Sequence, residues 1–335
     1  MKVVRLYSKN DLRVEEIEAP DVLAPLEVRV RVLAAGICGS DIHNFRTGQW
    51  ISRSPSTAGH EFAGIVTQVG DSVLSLRVGD RVVADSRVVC GRCRNCVEGY
   101  PQICEKLGFV GEVVDGGFAE EVVLDCALLH KVDEFADARV LAMAEPTAVA
   151  LHTLKRLAAP ADSAILIVGC GPIGAICGIL ARHRGHRLLL ADKSPDRASL
   201  VARITAGQVI DLQAATQPRD LPRFAIDATG SPPVVSQLVH IMPGGGAIAL
   251  VGLGSGDLSI SANLLVEKEI RLTGCHAFND ELPGAIRACQ EYSNDFSAIL
   301  DAEITLDDVP RAYESIIAGR SKAPKTIIRP NPVSG

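Results

Sequence analysis

The stretch from Ser163 to Asp192 restricts the fold of this chain more than any other. Ala164-Ile-Leu-Ile-Val168 is a continuous apolar run, the pattern of a strand buried on both faces of a sheet. It passes directly into Gly169-Cys-Gly171-Pro172-Ile173-Gly174 and then into the apolar run Ala175 to Ala181. Strand, tight glycine turn and helix in that order form the phosphate-binding unit of a dinucleotide-binding sheet. Gly169 makes the turn, Gly171 lets backbone approach the pyrophosphate, and Gly174 allows helix and strand to pack closely. A second strand, Arg187 to Ala191, ends at Asp192, where an acid holds the ribose hydroxyls. Such an acid repels a 2′-phosphate, and residue 193 is a lysine rather than an arginine, so the reading favours NAD over NADP. Pro172, Ile173 and Arg197 belong to the same cofactor-binding set.

Further strands fit at Phe224 to Asp227, Ala247 to Gly252 and Glu269 to Gly274, separated by helical segments. That alternation predicts an α/β unit with a doubly wound parallel sheet. Ligands lie at the carboxyl ends of such strands, so Ala228 to Gly230 and Val251, Gly252 and Leu253 are expected to line the cofactor cleft. At 335 residues the chain is too long for one ordinary core, and two domains are expected. The N-terminal third reads as β-rich. Val28, Val30 and Val32 alternate with Arg29 and Arg31, and short β runs follow at Ile65 to Val69 and Arg81 to Ala84. The tail from Leu282 to Arg329 holds a helical segment (Pro283 to Glu291) and a last β run (Thr326 to Arg329). It is too short for a fold of its own and is expected to return to the N-terminal domain.

Metal-ligand residue types concentrate in two places. Gly36-Ile-Cys-Gly-Ser-Asp-Ile-His43 and Gly59-His-Glu-Phe-Ala-Gly64 supply Cys38, Ser40, His43, His60 and Glu61, expected on turns of the β-rich domain. Cysteine, histidine and glutamate suit zinc, and three protein ligands with one open position make a catalytic site. Cys90, Cys93, Cys96 and Cys104 form a compact all-cysteine set, which reads as a closed structural zinc. Glu145-Pro146 reads as a helix start with an acid in its first turn. Asp41 reads as structural, and Cys126, Cys170, Cys177, Cys275 and Cys289 as small core residues.

Composition narrows the function. A net charge of -6 argues against nucleic acid and anionic membrane as partners, and therefore against a nucleic-acid zinc ribbon. The longest apolar stretch, Ala164 to Ala181, is broken by Gly169, Gly171, Pro172 and Gly174 and does not read as a membrane span. No signal peptide is apparent at the N-terminus, and ten cysteines without export point to a cytoplasmic protein with thiols and metal rather than disulfides.

These motifs, in this order and spacing, resemble the zinc-dependent medium-chain dehydrogenase/reductases, the alcohol, sorbitol and L-idonate dehydrogenase group, over essentially the whole chain. The resemblance implies a GroES-like catalytic domain (1–145, with a structural zinc lobe at about 88–106), a Rossmann NAD-binding domain (146–278) and a return to the catalytic domain (279–335). It implies two zinc ions per chain and a homodimer or homotetramer. Cys38 and His60 match catalytic zinc ligands. Glu61 or Glu145 is the third, as in the polyol branch, and Ser40 and His43 match the proton relay. The implied reaction is oxidation of a secondary alcohol of a polyol, sugar or sugar acid to a ketone, with hydride transfer to NAD. Two features depart from the sorbitol pattern: Cys275-His276-Ala277-Phe278 lacks the arginine expected there, and Asn44 stands where a tyrosine often follows the relay histidine. Arg46, Arg53 and His276 remain as anchors for an anionic substrate. The alternatives are a sugar-phosphate polyol dehydrogenase, galactitol-phosphate-like, and a non-catalytic NAD-binding or redox-sensing relative.

Overall fold

The computed structural model describes residues 1–133, 135–214, 221–321 and 323–331. The N-terminal part opens with β1 (Lys2–Ser8), β2 (Asp11–Glu16) and β3 (Glu27–Gly36), followed by α1 (Gly39–Thr47). Next come β4 (Ser56–Thr57), β5 (Glu61–Val69), β6 (Arg81–Ala84), β7 (Arg87–Val88), α2 (Arg94–Val97), β8 (Gly108–Phe109), β9 (Glu121–Asp125) and β10 (Leu129–Lys131). Two helices, α3 (Ala138–Leu141) and α4 (Ala144–Leu157), lead into the second part. It alternates β11 (Ala164–Val168), α5 (Pro172–His183), β12 (Arg187–Ala191), α6 (Pro195–Thr205), β13 (Gln208–Val209), β14 (Phe224–Asp227), α7 (Pro232–Ile241), β15 (Ala247–Leu250), α8 (Ala262–Lys268) and β16 (Arg271–Gly274). The chain finishes with α9 (Leu282–Glu291), α10 (Ser293–Ser297), β17 (Leu300–Ile304), α11 (Val309–Ile317) and β18 (Lys325–Ile328).

The second sheet is parallel throughout, in the order β13-β12-β11-β14-β15-β16. This is a doubly wound Rossmann arrangement whose order reverses between β11 and β14, the point where such sheets bind ligands. Ile165 and Ile167 pack on one face and Leu166 and Val168 on the other, all buried. That explains why β11 shows no polar alternation.

The first sheet runs β10-β6-β5-β3-β18-β17, with β9 also paired to β3. The C-terminal strands therefore complete the sheet begun by the N-terminal ones, with β18 antiparallel to β3. Residues 322 and 332–335 of the expected return segment lie outside the described residues. Val28, Val30 and Val32 are fully buried, as their alternation predicts, but Arg29 is buried as well. Its guanidinium is held by Gln68 Oε1 at 3.1 Å, so a charged residue occupies an inner position by carrying its own partner.

Helix α4 joins the two parts. Its buried residues run from Ala144 to Leu157, and its core extends from Ala63 and Val83 of the first sheet to Ile165 and Ile167 of the second. Each buried leucine there, such as Leu154 or Leu157, contributes about 1.5–3 kcal/mol. The two parts thus share a core as well as a cleft.

One expectation needs correction. Ser40 and His43 sit on a nine-residue helix, α1, and not on turns. Cys38 is its N-cap, the Asp41 carboxylate accepts the Cys38 backbone N–H at 2.9 Å, and Gly48 closes the helix in the left-handed region. The reciprocal cap starts a helix whose apolar pattern alone is too short to announce it.

Candidate active site

Sheet register assembles the first metal site. β3 and β5 are antiparallel neighbours with Gly36 opposite Glu61. Cys38, two residues beyond the end of β3, therefore meets His60 and Glu61 at the start of β5. One ligand atom from each of Cys38, His60 and Glu61 lies within 4.8 Å of the others. The Asp41 carboxylate stands 3.4 Å from His60 Nδ1, which orients the ring and leaves Nε2 for the metal. Ser40 Oγ lies 3.4 Å from that Nε2.

Glu61 is 1% exposed, and its Oε2 accepts from Lys325, which is itself fully buried. Its Oε1 is buried without a hydrogen-bond partner. A buried, ionised oxygen left unpaired is costly, and a cation between Cys38, His60 and Glu61 removes that cost. The residues therefore fit zinc. Glu145, in the first turn of α4, is buried too, and its Oε1 accepts from Ser86 Oγ at 2.7 Å. Burial pushes its carboxyl up to about 7 against the pull of nearby His60. Its carboxylate stands outside the Cys38–His60–Glu61 cluster. Behind His60, the half-buried Glu112 is likewise raised to about 7 by burial.

His43 lies one turn beyond Ser40 on α1, half-buried, its ring 4.8 Å from that of Trp50. Its Nε2 is 3.0 Å from Gln49 Oε1. An amide oxygen can only accept, so Nε2 carries the hydrogen and Nδ1 of the neutral ring is free to take a proton.

The four-cysteine lobe is equally well formed. The Cys104 sulfur lies 3.5 Å from that of Cys90 and 3.8 Å from that of Cys93, close to the ~3.8 Å edge of a tetrahedron with arms of about 2.3 Å. Backbone N–H groups of Arg92 and Cys93 hold the Cys90 thiol down to about 6, while burial pushes Cys96 up to about 12. One thiol is ready as thiolate, and a metal would draw the proton from the other.

The cofactor residues surround the switch point. Gly169 adopts a φ of 96°, and the turn delivers Gly171 as N-cap and Pro172 and Ile173 as the first helical residues of α5. Asp192 ends β12 with both oxygens engaged: Oδ2 accepts from Cys170 N at 2.7 Å, and Oδ1 from Ser194 N at 2.7 Å and Arg197 Nη2 at 2.9 Å. Val251 is buried, Leu253 is largely exposed, and the backbone of 252–254 packs against Thr229 and Gly230. A cleft of about 110 Å³ runs between Cys38 and Gly39 on one side and Gly171, Pro172 and Arg197 on the other, closed by Pro324 and Thr326. Metal site and phosphate turn thus open on one space.

Lys325, Ser86 and Glu112 belong to no motif, and sequence reasoning misses them. A lysine next to the apolar pair of a buried strand is the one signal that points to Lys325.

A metal cluster of cysteine, histidine and carboxylate, facing the phosphate turn of a Rossmann sheet, defines a dehydrogenase that pairs zinc with a nicotinamide dinucleotide. Residues 24–134 match the family described as alcohol dehydrogenase GroES-like domain, and residues 172–291 the family described as zinc-binding dehydrogenase. The chain belongs to the zinc-dependent medium-chain dehydrogenase/reductases. It is 28% identical to an L-threonine 3-dehydrogenase of Deinococcus radiodurans over 91% of each chain. It is also 28% identical to an L-idonate 5-dehydrogenase of Vitis vinifera, over 89% of this chain and 86% of that one. The crystal structure of 2R,3R-butanediol dehydrogenase from Bacillus subtilis superposes with a TM-score of 0.89 at 27% identity, covering 98% of this chain and 99% of the other. Among the described residues, no helix is long and apolar enough to cross a membrane.

Proposed function

We propose that the protein oxidises a secondary alcohol of a neutral polyol or diol to the ketone, with NAD as hydride acceptor. The observation that carries this is the state of the three side chains that could anchor an anion. Arg53 is paired with Asp115, His276 Nδ1 lies 2.9 Å from the Gln102 carbonyl oxygen, and Arg46 is exposed at the end of α1. A sugar phosphate or sugar acid would have to displace a partner of Arg53 or His276 or reach out to the exposed Arg46, whereas hydroxyl groups need no cation. The similarity to a 2R,3R-butanediol dehydrogenase supports a diol substrate.

Cys38, His60 and Glu61 would hold the catalytic zinc, with Glu145 as a ligand in reserve, and Cys90, Cys93, Cys96 and Cys104 the structural one. Bound there, zinc would ease ionisation of the substrate hydroxyl and NAD would accept the hydride. Ser40, beside His60, is placed to receive the hydroxyl proton, and His43, with Nδ1 free, to pass it to solvent. Asp41 fixes the His60 ring through both steps. Gly169, Gly171 and the start of α5 would take the pyrophosphate, and Asp192 the ribose hydroxyls, which favours NAD over NADP. The domain limits of 1–145, 146–278 and 279–335 and assembly as a homodimer or homotetramer complete the reading.

The test is NADH formation with a panel of diols, pentitols, hexitols, aldonates, their phosphates and L-threonine. A neutral polyol or diol is expected to give the highest kcat/KM. A phosphate or carboxylate substrate at least tenfold better would overturn the reading, and so would NADH binding without turnover of any alcohol. Replacing Ser40 by alanine is expected to lower kcat by about 10²-fold or more.

A further inference from the structure

We propose that Lys325 is a positioning residue for the catalytic metal. It grips one oxygen of Glu61 from the side of the cofactor cleft, so that the other oxygen alone is turned to zinc. The inference rests on Glu61 being the third ligand. Three neighbouring strands produce the arrangement. Gly36 of β3 stands opposite Glu61 of β5 and opposite Ile327 of β18. Lys325 and Ile327 are two residues apart and share a face, so Lys325 reaches over Gly36 to Glu61. Its ammonium donates to Glu61 Oε2 and to the Ile37 carbonyl oxygen at 2.9 Å.

Gly36 is what permits the contact. A Cβ on that residue would overlap Glu61 Oε2 and come within 2.7 Å of Lys325 Cε. The middle strand lacks a side chain where its two neighbours join charges across it.

The pairing has a direction. Lys325 and Glu61 are 0% and 1% exposed as side chains, so water does not compete for either. With Oε2 committed to Lys325, Oε1 is the oxygen left without a hydrogen-bond partner, in a carboxylate that lies within 4.8 Å of the ligand atoms of Cys38 and His60. A carboxylate free to rotate presents either oxygen or both to a metal; one held on one oxygen presents the other in a fixed direction. Pro324 and Thr326, on either side of Lys325, line the cleft that also holds Cys38 and Gly171. The grip therefore comes from the wall of the cofactor space.

The experiment measures zinc release to a chelator, together with the visible spectrum of protein carrying cobalt(II) in place of the catalytic zinc. Glu61→Gln is expected to speed loss of one of the two zinc ions and to shift the cobalt bands. Lys325→Met is expected to speed loss of the same ion by about 10–100-fold, the usual effect of removing a ligand's outer partner, and to shift the bands in the same direction. The four-cysteine zinc is expected to be lost at the wild-type rate. The double variant removes both buried charges, so it remains testable where Lys325→Met does not fold. It is expected to match Glu61→Gln alone, and faster release than that would overturn the inference. Fast release in Glu61→Gln with wild-type release and spectrum in Lys325→Met would overturn this proposal only. Unchanged release in Glu61→Gln would remove Glu61 from the ligand set, and the proposal with it.

Discussion

Replacing Asp192 by asparagine separates two functions of one carboxylate. In the structure its side chain is 5% exposed. It accepts three hydrogen bonds, from Cys170 N, Ser194 N and Arg197 Nη2. Asparagine fills the same volume with one acceptor and one donor group. With its oxygen in the Oδ1 position it keeps Ser194 and Arg197, but its NH2 then faces the Cys170 N–H; the other orientation loses two bonds. An orphaned backbone donor costs about 1–3 kcal/mol, the Ser194 bond drops from charge-assisted to neutral, about half as strong, and the Arg197 bond loses its ion-pair partner. A total loss of about 2–4 kcal/mol follows, centred on the glycine turn. The same change removes the charge that repels a 2′-phosphate. At 4–5 Å and an effective dielectric constant near 20 that repulsion is roughly 3–4 kcal/mol. Screening in an open cleft reduces it, so the NAD-over-NADP ratio in kcat/KM is expected to fall by about 10–100-fold. Urea unfolding and steady-state kinetics with both cofactors measure the two effects separately. A variant with wild-type stability and wild-type cofactor preference would refute both halves of the argument.

Other outcomes follow from the same geometry. Replacing Gly174 by alanine would drive a Cβ into the Gly169 carbonyl oxygen; the helix must move off the strand, and NADH binding by fluorescence should weaken at least tenfold. Elemental analysis of fresh protein should find two zinc ions per chain, one of them lost in Cys38→Ala; a count of one in wild type would remove a site. Glu112→Gln should stabilise metal-stripped protein at high pH only. The carboxyl titrates at about 7 when folded against an ordinary value of 4.5, so between these values the folded chain binds more protons and stability falls as pH rises. Removing that cost should add on the order of 2–3 kcal/mol at pH 8.5 and nothing at pH 4; equal effects at both would show that Glu112 is not desolvated.

The nucleotide-binding half is legible because its signals are local. β11, β12 and β14 fall on the same residues in sequence and structure, since a strand buried on both faces must be apolar throughout. The Cys90–Cys104 lobe is legible for the same reason, with its ligands within one short loop. The catalytic half is legible in residue type but not in placement. Helix α1 reads as turn in the sequence because its start depends on a reciprocal bond between Cys38 and Asp41 that spacing alone does not reveal. The choice between Glu61 and Glu145 depends on the β3–β5 register, which decides which carboxylate faces Cys38. Lys325 shows in the sequence only as a lysine near an apolar pair, because its meaning comes from a glycine on another strand. Local pattern reports secondary structure, whereas charge pairing across a sheet depends on which strands become neighbours.

The return of the chain to its first sheet also sets an order of events during synthesis. The Rossmann sheet draws all six strands from residues 164–274, and its core is closed by α9 and α10 soon afterwards. The four-cysteine lobe is complete once Cys104 has emerged. The edge of β3 that receives β18 has to wait, because Lys325 lies 288 residues beyond Ile37. Until β18 arrives, that edge has unpaired backbone groups, a template for wrong strand partners, and Glu61 lacks its cation. A nascent chain halted before residue 325 therefore holds the Rossmann sheet and the four-cysteine lobe, with the cofactor cleft and the reactive centre still open on the side that Thr326 and Lys325 close. The reactive centre gains its last buried contact only when β18 closes the first sheet.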